Sequence, residues 1–377
     1  MNSVFKKILF IILLMAAVNG FSQQQILSKN ATVSILTCDL GNESYSLFGH
    51  TAIRITDIEN QIDVVYNYGA FDFATPNFVA KFTKGDLQYF VVAHSFTDFI
   101  NQYQYEKRSV YEQELLFSGV YKQKLFDALN KTLQSDDRFY TYKFIDQNCT
   151  TMVVDIINWT LNLKVIEKKD KTTITYRSIL FPYFNGHFYE QLGTSIIFGK
   201  KVDQLGKKIF LPFDLLQSLK TETFNSQPLA KATVTLIAFE KQTQTSWWNT
   251  IYTYLFVLGF ILLINKIKID FIYLTIIGII GVFFASVGFY SFHQELSANY
   301  NVLLFNPVLL VMLYFYGIKN KKWIYKLALF NLFCLLVYVV ILINKAYLLI
   351  VLPLIITNGV VLIKLAIQNK KPISIII

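Results

Sequence analysis

The hydrophobic rhythm of this chain changes twice. Its start holds Lys6-Lys7, an unbroken apolar run over residues 8–18, and then Asn19-Gly20-Phe21-Ser22-Gln23. Basic, then apolar, then small and polar is the order of a secretory signal, and the run is short for a membrane span. Cleavage is expected near Ser22 or Gln23, which removes residues 1–23. From residue 24 to 246 the pattern is that of a soluble domain. Residues 32–37, 51–57 and 63–68 are rich in apolar and β-branched positions and read as strands. Asp57-Ile58-Glu59-Asn60-Gln61 reads as the turn between the last two. Residues 121–134 and 153–163 carry helical apolar spacing. Strands and helices around one core predict an α+β domain.

After Ser246 the rhythm becomes long apolar runs, at residues 247–265, 271–292, 302–318, 323–343 and 347–367. Each approaches the ~20 residues a helix needs to cross the hydrocarbon core. Residues 247–377 are therefore expected to form an all-α membrane bundle of five helices. Lys266 and Lys268, then Lys319, Lys321 and Lys322, then Lys370 and Lys371 mark alternate ends of the runs. The intervening connections hold only Lys345. The excess of lysine on cytoplasmic loops puts the C-terminus in the cytoplasm and residues 24–246 outside. Trp247, Trp248 and Trp323 suit the two interfaces. The strands, helices and candidate chemistry all precede Ser246, so the soluble domain is expected to fold without the bundle.

Composition refines this picture. The chain is 54% hydrophobic and carries a net charge of +10. Much of the lysine excess lies in the leader and the membrane loops. It reads as topology, and no arginine-rich stripe indicates a nucleic-acid partner. Three cysteines imply no disulfide framework. Cys334 lies in an apolar run and reads as packing. A Cys38–Cys149 bridge would consume the best nucleophile.

That nucleophile stands in Asp146-Gln147-Asn148-Cys149-Thr150, and one of the chain's four histidines stands in Phe48-Gly49-His50. An imidazole that takes a thiol proton, leaving a thiolate to attack an acyl carbon, is the minimal kit of thiol catalysis. Here His precedes Cys, as in circularly permuted relatives of papain-type enzymes. Cys149 precedes a helical run, and the positive end of a helix favours thiolate. Backbone N–H groups there, together with Asn148, are candidate oxyanion donors. If residues 51–57 and 63–68 pair as a hairpin, residue 52 faces 67 and 54 faces 65. His50 and Asn67 then share a face, and Asn67 orients the imidazole. A slip of one residue would offer Tyr66 or Tyr68 instead. Tyr66, Tyr68 and Arg54 are candidate substrate contacts. So is His293, which shares an outer connection with Glu295 and Asn299. His94 and His187 read as structural. Ligands at metal spacing are too few, so neither metal nor cofactor is expected.

Several separated motifs resemble the Lnb-type periplasmic domain. They are Thr37-Cys38-Asp39-Leu40-Gly41, Leu47-Phe48-Gly49-His50-Thr51-Ala52-Ile53-Arg54 and Val65-Tyr66-Asn67-Tyr68-Gly69-Ala70-Phe71-Asp72-Phe73. Phe82 to Gly85 with Leu87-Gln88-Tyr89, then Arg108, then Asp146-Gln147-Asn148-Cys149-Thr150-Thr151 continue the likeness in order. Leu40 departs from the proline expected after Cys-Asp. Such domains are similar to permuted papain-like folds, including lecithin–retinol acyltransferase. With C-terminal membrane helices they resemble bacterial lipoprotein N-acyltransferases.

The resemblance implies an α+β permuted papain-like periplasmic domain on a bacterial inner-membrane protein, with Cys149 as nucleophile and His50 as base. The implied donor is a membrane phospholipid, and the implied acceptor is the α-amine of a lipoprotein's lipidated N-terminal cysteine. A membrane-anchored cysteine hydrolase (peptidase, amidase or lipase) and a non-enzymatic envelope interaction module are the competing readings.

Overall fold

The computed structural model describes residues 25–170, 172–240, 246–264 and 266–370; the expected leader lies outside them. The soluble part begins with β1 (Thr32–Cys38), β2 (His50–Asp57), β3 (Ile62–Ala70), α1 (Phe78–Lys84) and β4 (Gln88–Ser95). It continues with α2 (Phe96–Tyr105), β5 (Val110–Glu114), α3 (Gly119–Gln134), β6 (Phe139–Thr141) and α4 (Cys149–Leu161). Helices α5 (Tyr176–Leu180), α6 (Phe188–Ile197) and α7 (Pro212–Leu219) follow. Last come a small hairpin, β7 (Thr223–Phe224) with β8 (Gln227–Pro228), and β9 (Val234–Ile237).

Strands β6-β4-β3-β2-β1-β5-β9 form one seven-stranded sheet, antiparallel at each pairing. Alternation sends Ile35, Ile53, Tyr66 and Val91 to one face, where residues of α3 and α4 cover them. Leu36, Ala52 and Val65 go to the other, under Phe99 and Tyr103 of α2. Burying a large apolar side chain contributes about 1.5–3 kcal/mol, so a one-residue slip would be costly. The β2–β3 register is the expected one, with Ala52 opposite Asn67 and Arg54 opposite Val65. Helix α4 starts earlier than its apolar spacing predicts. Its first residue is Cys149 itself, because Asn148 caps it.

The membrane part comprises α8 (Ile251–Ile264), α9 (Ile267–Tyr290), α10 (Val308–Gly317), α11 (Lys321–Leu342) and α12 (Leu348–Asn369). It departs from five uniform spans. Among the described residues three helices, α9, α11 and α12, are long and apolar enough to cross a membrane. A fourth span exists if the 3-10 turns of residues 294–303 and α10 are taken together, with a 41° bend between them. The bend falls at Asn306-Pro307. Proline lacks the N–H that a continuous helix needs, and the Asn306 side chain accepts from the N–H of Val308 at 3.0 Å to start a new one. Helix α8 has 14 residues. At 1.5 Å per residue it reaches ~21 Å, against a core of ~30 Å.

The two parts are docked. Phe181, Phe188, Leu192, Ile196 and Ile197 pack into the same apolar cluster as the membrane helices. Asp203 accepts from Arg177 at 2.7 Å, from Lys345 at 2.8 Å and from the Tyr300 hydroxyl. The Glu295 carboxylate accepts from the backbone N–H of Ile145 at 3.2 Å. Gly199 lies so close to the 294–298 turn that a Cβ there would collide with the Ser297 carbonyl oxygen. Thus the soluble domain sits at the bundle end that carries Lys345, opposite the lysine-rich turns.

Candidate active site

Two elements meet at the site. The first is the start of β2, entered through Gly49 at φ +80, whose missing Cβ leaves room for the Cys38 carbonyl. His50 is the first strand residue and pairs across with Cys38. The second is the N-terminus of α4. Asn148 Oδ1 accepts from the N–H groups of Thr150 and Thr151 at 2.9 and 3.0 Å, while Thr151 Oγ1 accepts from the Asn148 N–H at 2.8 Å. This capping box fixes where the helix begins and so where Cys149 points. The buried hydroxyls of Thr51 and Thr150, 3.0 Å apart, tie strand to helix beside the thiol.

The structure brings Cys149, His50 and Asn67 into one chain of contacts. Burial pushes the Cys149 thiol up, but the His50 charge and hydrogen bond, the Thr51 backbone N–H and the Thr150 hydroxyl outweigh it. The net shift is below the ordinary thiol value. His50 Nε2 lies 3.1 Å from Asn67 Oδ1. An amide oxygen only accepts, so His50 carries its proton on Nε2 and leaves Nδ1 for the thiol. The Asn67 amide donates in turn to His94 Nδ1 at 3.4 Å, which gives His94 a place in the chain that its spacing did not suggest.

Cys38 is wholly buried and its thiol is pushed up to about 12, chiefly by burial. All three cysteines are free.

Other expected contacts lie elsewhere. Tyr66 and Tyr68 alternate with Asn67 and point into the opposite core; the Tyr66 hydroxyl donates to Asn130 at 2.8 Å. Arg54 is four residues down β2, ~13 Å from His50. It pairs with Asp63 at 2.8 Å and Glu112 at 3.2 Å, over the Phe96 ring. His293 is buried between α1 and the end of α9, and its Nε2 donates to the Phe82 carbonyl at 2.9 Å. It packs on Gly85 rather than on the thiol.

Asn148 must be corrected as an oxyanion donor. Its amide already donates to the carbonyls of Phe144 and Phe210, at 2.8 and 2.9 Å, and its backbone N–H is taken by Thr151.

Gly69 was missed as a site residue. Its φ is +100, at a register shift in β3, and a Cβ there would lie 3.7 Å from Cys149 Cβ. A glycine inside a strand pattern is the usual mark of such a bulge. Among the described residues no cluster of three or more His, Cys, Asp and Glu side chains converges as a metal cage would.

Fold and site together define a membrane-anchored α/β protein that holds a thiol–imidazole pair in its extramembrane sheet domain. Residues 18–180 match the model of the Lnb N-terminal periplasmic domain, and residues 264–371 match that of the Lnb transmembrane domain. The chain belongs to the Lnb family. No curated protein and no solved structure matches it.

Proposed function

We propose that this protein is a lipoprotein N-acyltransferase of the bacterial inner membrane, working through a thioester on Cys149. The contact chain Cys149–His50–Asn67 carries the reading, since a lowered thiol beside an oriented imidazole suits nucleophilic catalysis. His50 takes the thiol proton. The thiolate adds to an ester carbonyl of a phospholipid, the carbon–oxygen bond breaks, and the departing alkoxide takes the proton from His50. The α-amine of a lipoprotein's N-terminal cysteine then attacks the thioester. His50 removes the amine's proton and the thiolate leaves. The thioester stores the acyl group, so no nucleotide is required. The order of His and Cys along the chain supports a permuted papain-like arrangement.

A lipid donor is supported by an aromatic run beside the site. The Phe82 ring stacks on Phe78 at 6.4 Å; Phe78 meets Phe73 at 5.1 Å, and Phe73 meets Phe71 at 4.8 Å. Phe73, Val79 and Phe82 are exposed. Helix α1, which carries Phe78 and Phe82, is fastened to the end of α9, where the Phe292 N–H donates to the Lys84 carbonyl at 2.7 Å. An exposed aromatic surface at the end of a membrane helix suits the bilayer interface. The lysine-rich turns at the far end support a cytoplasmic C-terminus.

Mass spectrometry of lipoprotein N-termini tests the proposal in cells that have or lack the protein. N-acylated termini are expected only with it. Unmodified α-amines in the presence of active protein, with free fatty acid released, would establish the hydrolase reading.

A further inference from the structure

Tyr140 lies on β6 opposite Tyr89 of β4. Its side chain is 6% exposed, and its hydroxyl has no hydrogen-bond partner among the described residues. An unpaired buried hydroxyl is costly, and phenylalanine in the same space would avoid that cost. Packing therefore gives no reason for the oxygen. Its surroundings do. A Cβ built on Gly69 would lie 3.8 Å from the Tyr140 hydroxyl and 3.7 Å from Cys149 Cβ. Phenol and nucleophile border the same small gap, and the bulge of β3 keeps that gap open. Burial, then the charge of the Cys149 thiolate, push the phenol well above its usual value, so at neutral pH it remains a donor.

The Asn148 amide cannot serve a developing oxyanion, because it is spent on two carbonyls. At the α4 N-terminus Asn148 takes the N–H groups of Thr150 and Thr151; the first helical N–H, that of Cys149, is one that the helix itself leaves unbonded. We propose that the Tyr140 hydroxyl is a catalytic residue of this site and donates, with the Cys149 N–H, to the oxyanion of the tetrahedral intermediate. The proposal rests on the acyl-transfer reading. When the thiolate forms its bond to the carbonyl carbon, the π pair moves onto oxygen, and the two donors stabilise that charge. The pair returns as the alkoxide leaves with the proton from His50. Thioester aminolysis passes through the same oxygen position.

The test uses the full-length protein in detergent and two reagents for Cys149. A short-chain p-nitrophenyl ester acylates the thiol through an oxyanion; iodoacetamide alkylates it by displacement at carbon, without one. Tyr140→Phe should slow single-turnover acylation on the order of 10²–10³-fold, the usual worth of an oxyanion donor. Alkylation should be unchanged, and Tm should hold or rise because an unpaired hydroxyl is gone. Unchanged acylation would overturn the proposal. So would a parallel fall in acylation and alkylation, which marks a structural role. A wild-type thiol that alkylates but accepts no acyl group from any ester takes down the acyl-transfer reading itself. Failure of Tyr140→Phe alone leaves that reading standing.

Discussion

At the residue scale the site depends on a thiol whose ordinary value is lowered by its neighbours, first among them His50, against the upward push of burial. The thiolate pair is intact above the lowered value and is lost as pH falls through it, so its contribution to stability fades toward acid. Iodoacetamide rates against pH should show a midpoint below that of a free thiol, and His50→Ala should move it upward. Cys149→Ala should abolish acyl transfer with the fold retained, and His50→Ala should cost roughly 10²–10⁴-fold, the span of general base catalysis. Asn67→Ala should cost less, because Asn67 orients the ring and moves no proton. These three residues were legible in the sequence. His and Cys are scarce, and strand alternation puts Asn67 on the face of His50 once the hairpin is read. Tyr140 was not legible. Its strand is three residues long and pairs with β4, so no local pattern links it to Cys149.

At the scale of elements, the start of α4 decides where the nucleophile points. Asn148→Ala removes a helix cap, worth about 0.5–2 kcal/mol, and takes the donor from two carbonyls. Its Tm should fall, and alkylation of Cys149 should slow as the thiol loses its fixed position. Gly69→Ala places an ordinary residue at φ +100, a strain on the order of 1–3 kcal/mol, and fills the gap beside the thiol. It should lower both Tm and acylation. The sheet hairpin and α4 were readable because their apolar rhythm is strong. The start of α4 was misplaced because apolar spacing does not register a polar cap. The bend at Pro307 was missed for a similar reason: a hydropathy count over residues 302–318 sees apolar character and not the missing N–H.

At the scale of the whole molecule, the docking of the two parts was hidden from the sequence. Its contacts join residues 142 and 150 positions apart, as in Asp203 with Lys345 and Ile145 with Glu295. Lysine 345 is the exception to an otherwise clean charge alternation, and the structure accounts for it, since Asp203 holds it. Arg177 is 3% exposed and also depends on Asp203. Removing one partner of a buried ion pair costs about 3–5 kcal/mol. Asp203→Ala should therefore lower Tm in detergent and open residues 181–203 to limited proteolysis. A chain ended at Ser246 should aggregate unless Phe188, Leu192 and their neighbours are covered. The same contact bears on how the molecule is made. Asp203 leaves the ribosome 142 residues ahead of its partner Lys345. At about 5–20 residues per second that is a wait on the order of 10 s. For that interval the domain lacks its contacts with the last helices, although Tyr254 of α8 reaches Phe188 earlier. Production of this protein is thus expected to depend on periplasmic holding chaperones during that interval, and slowing translation of the last helices should lengthen its exposure to proteases.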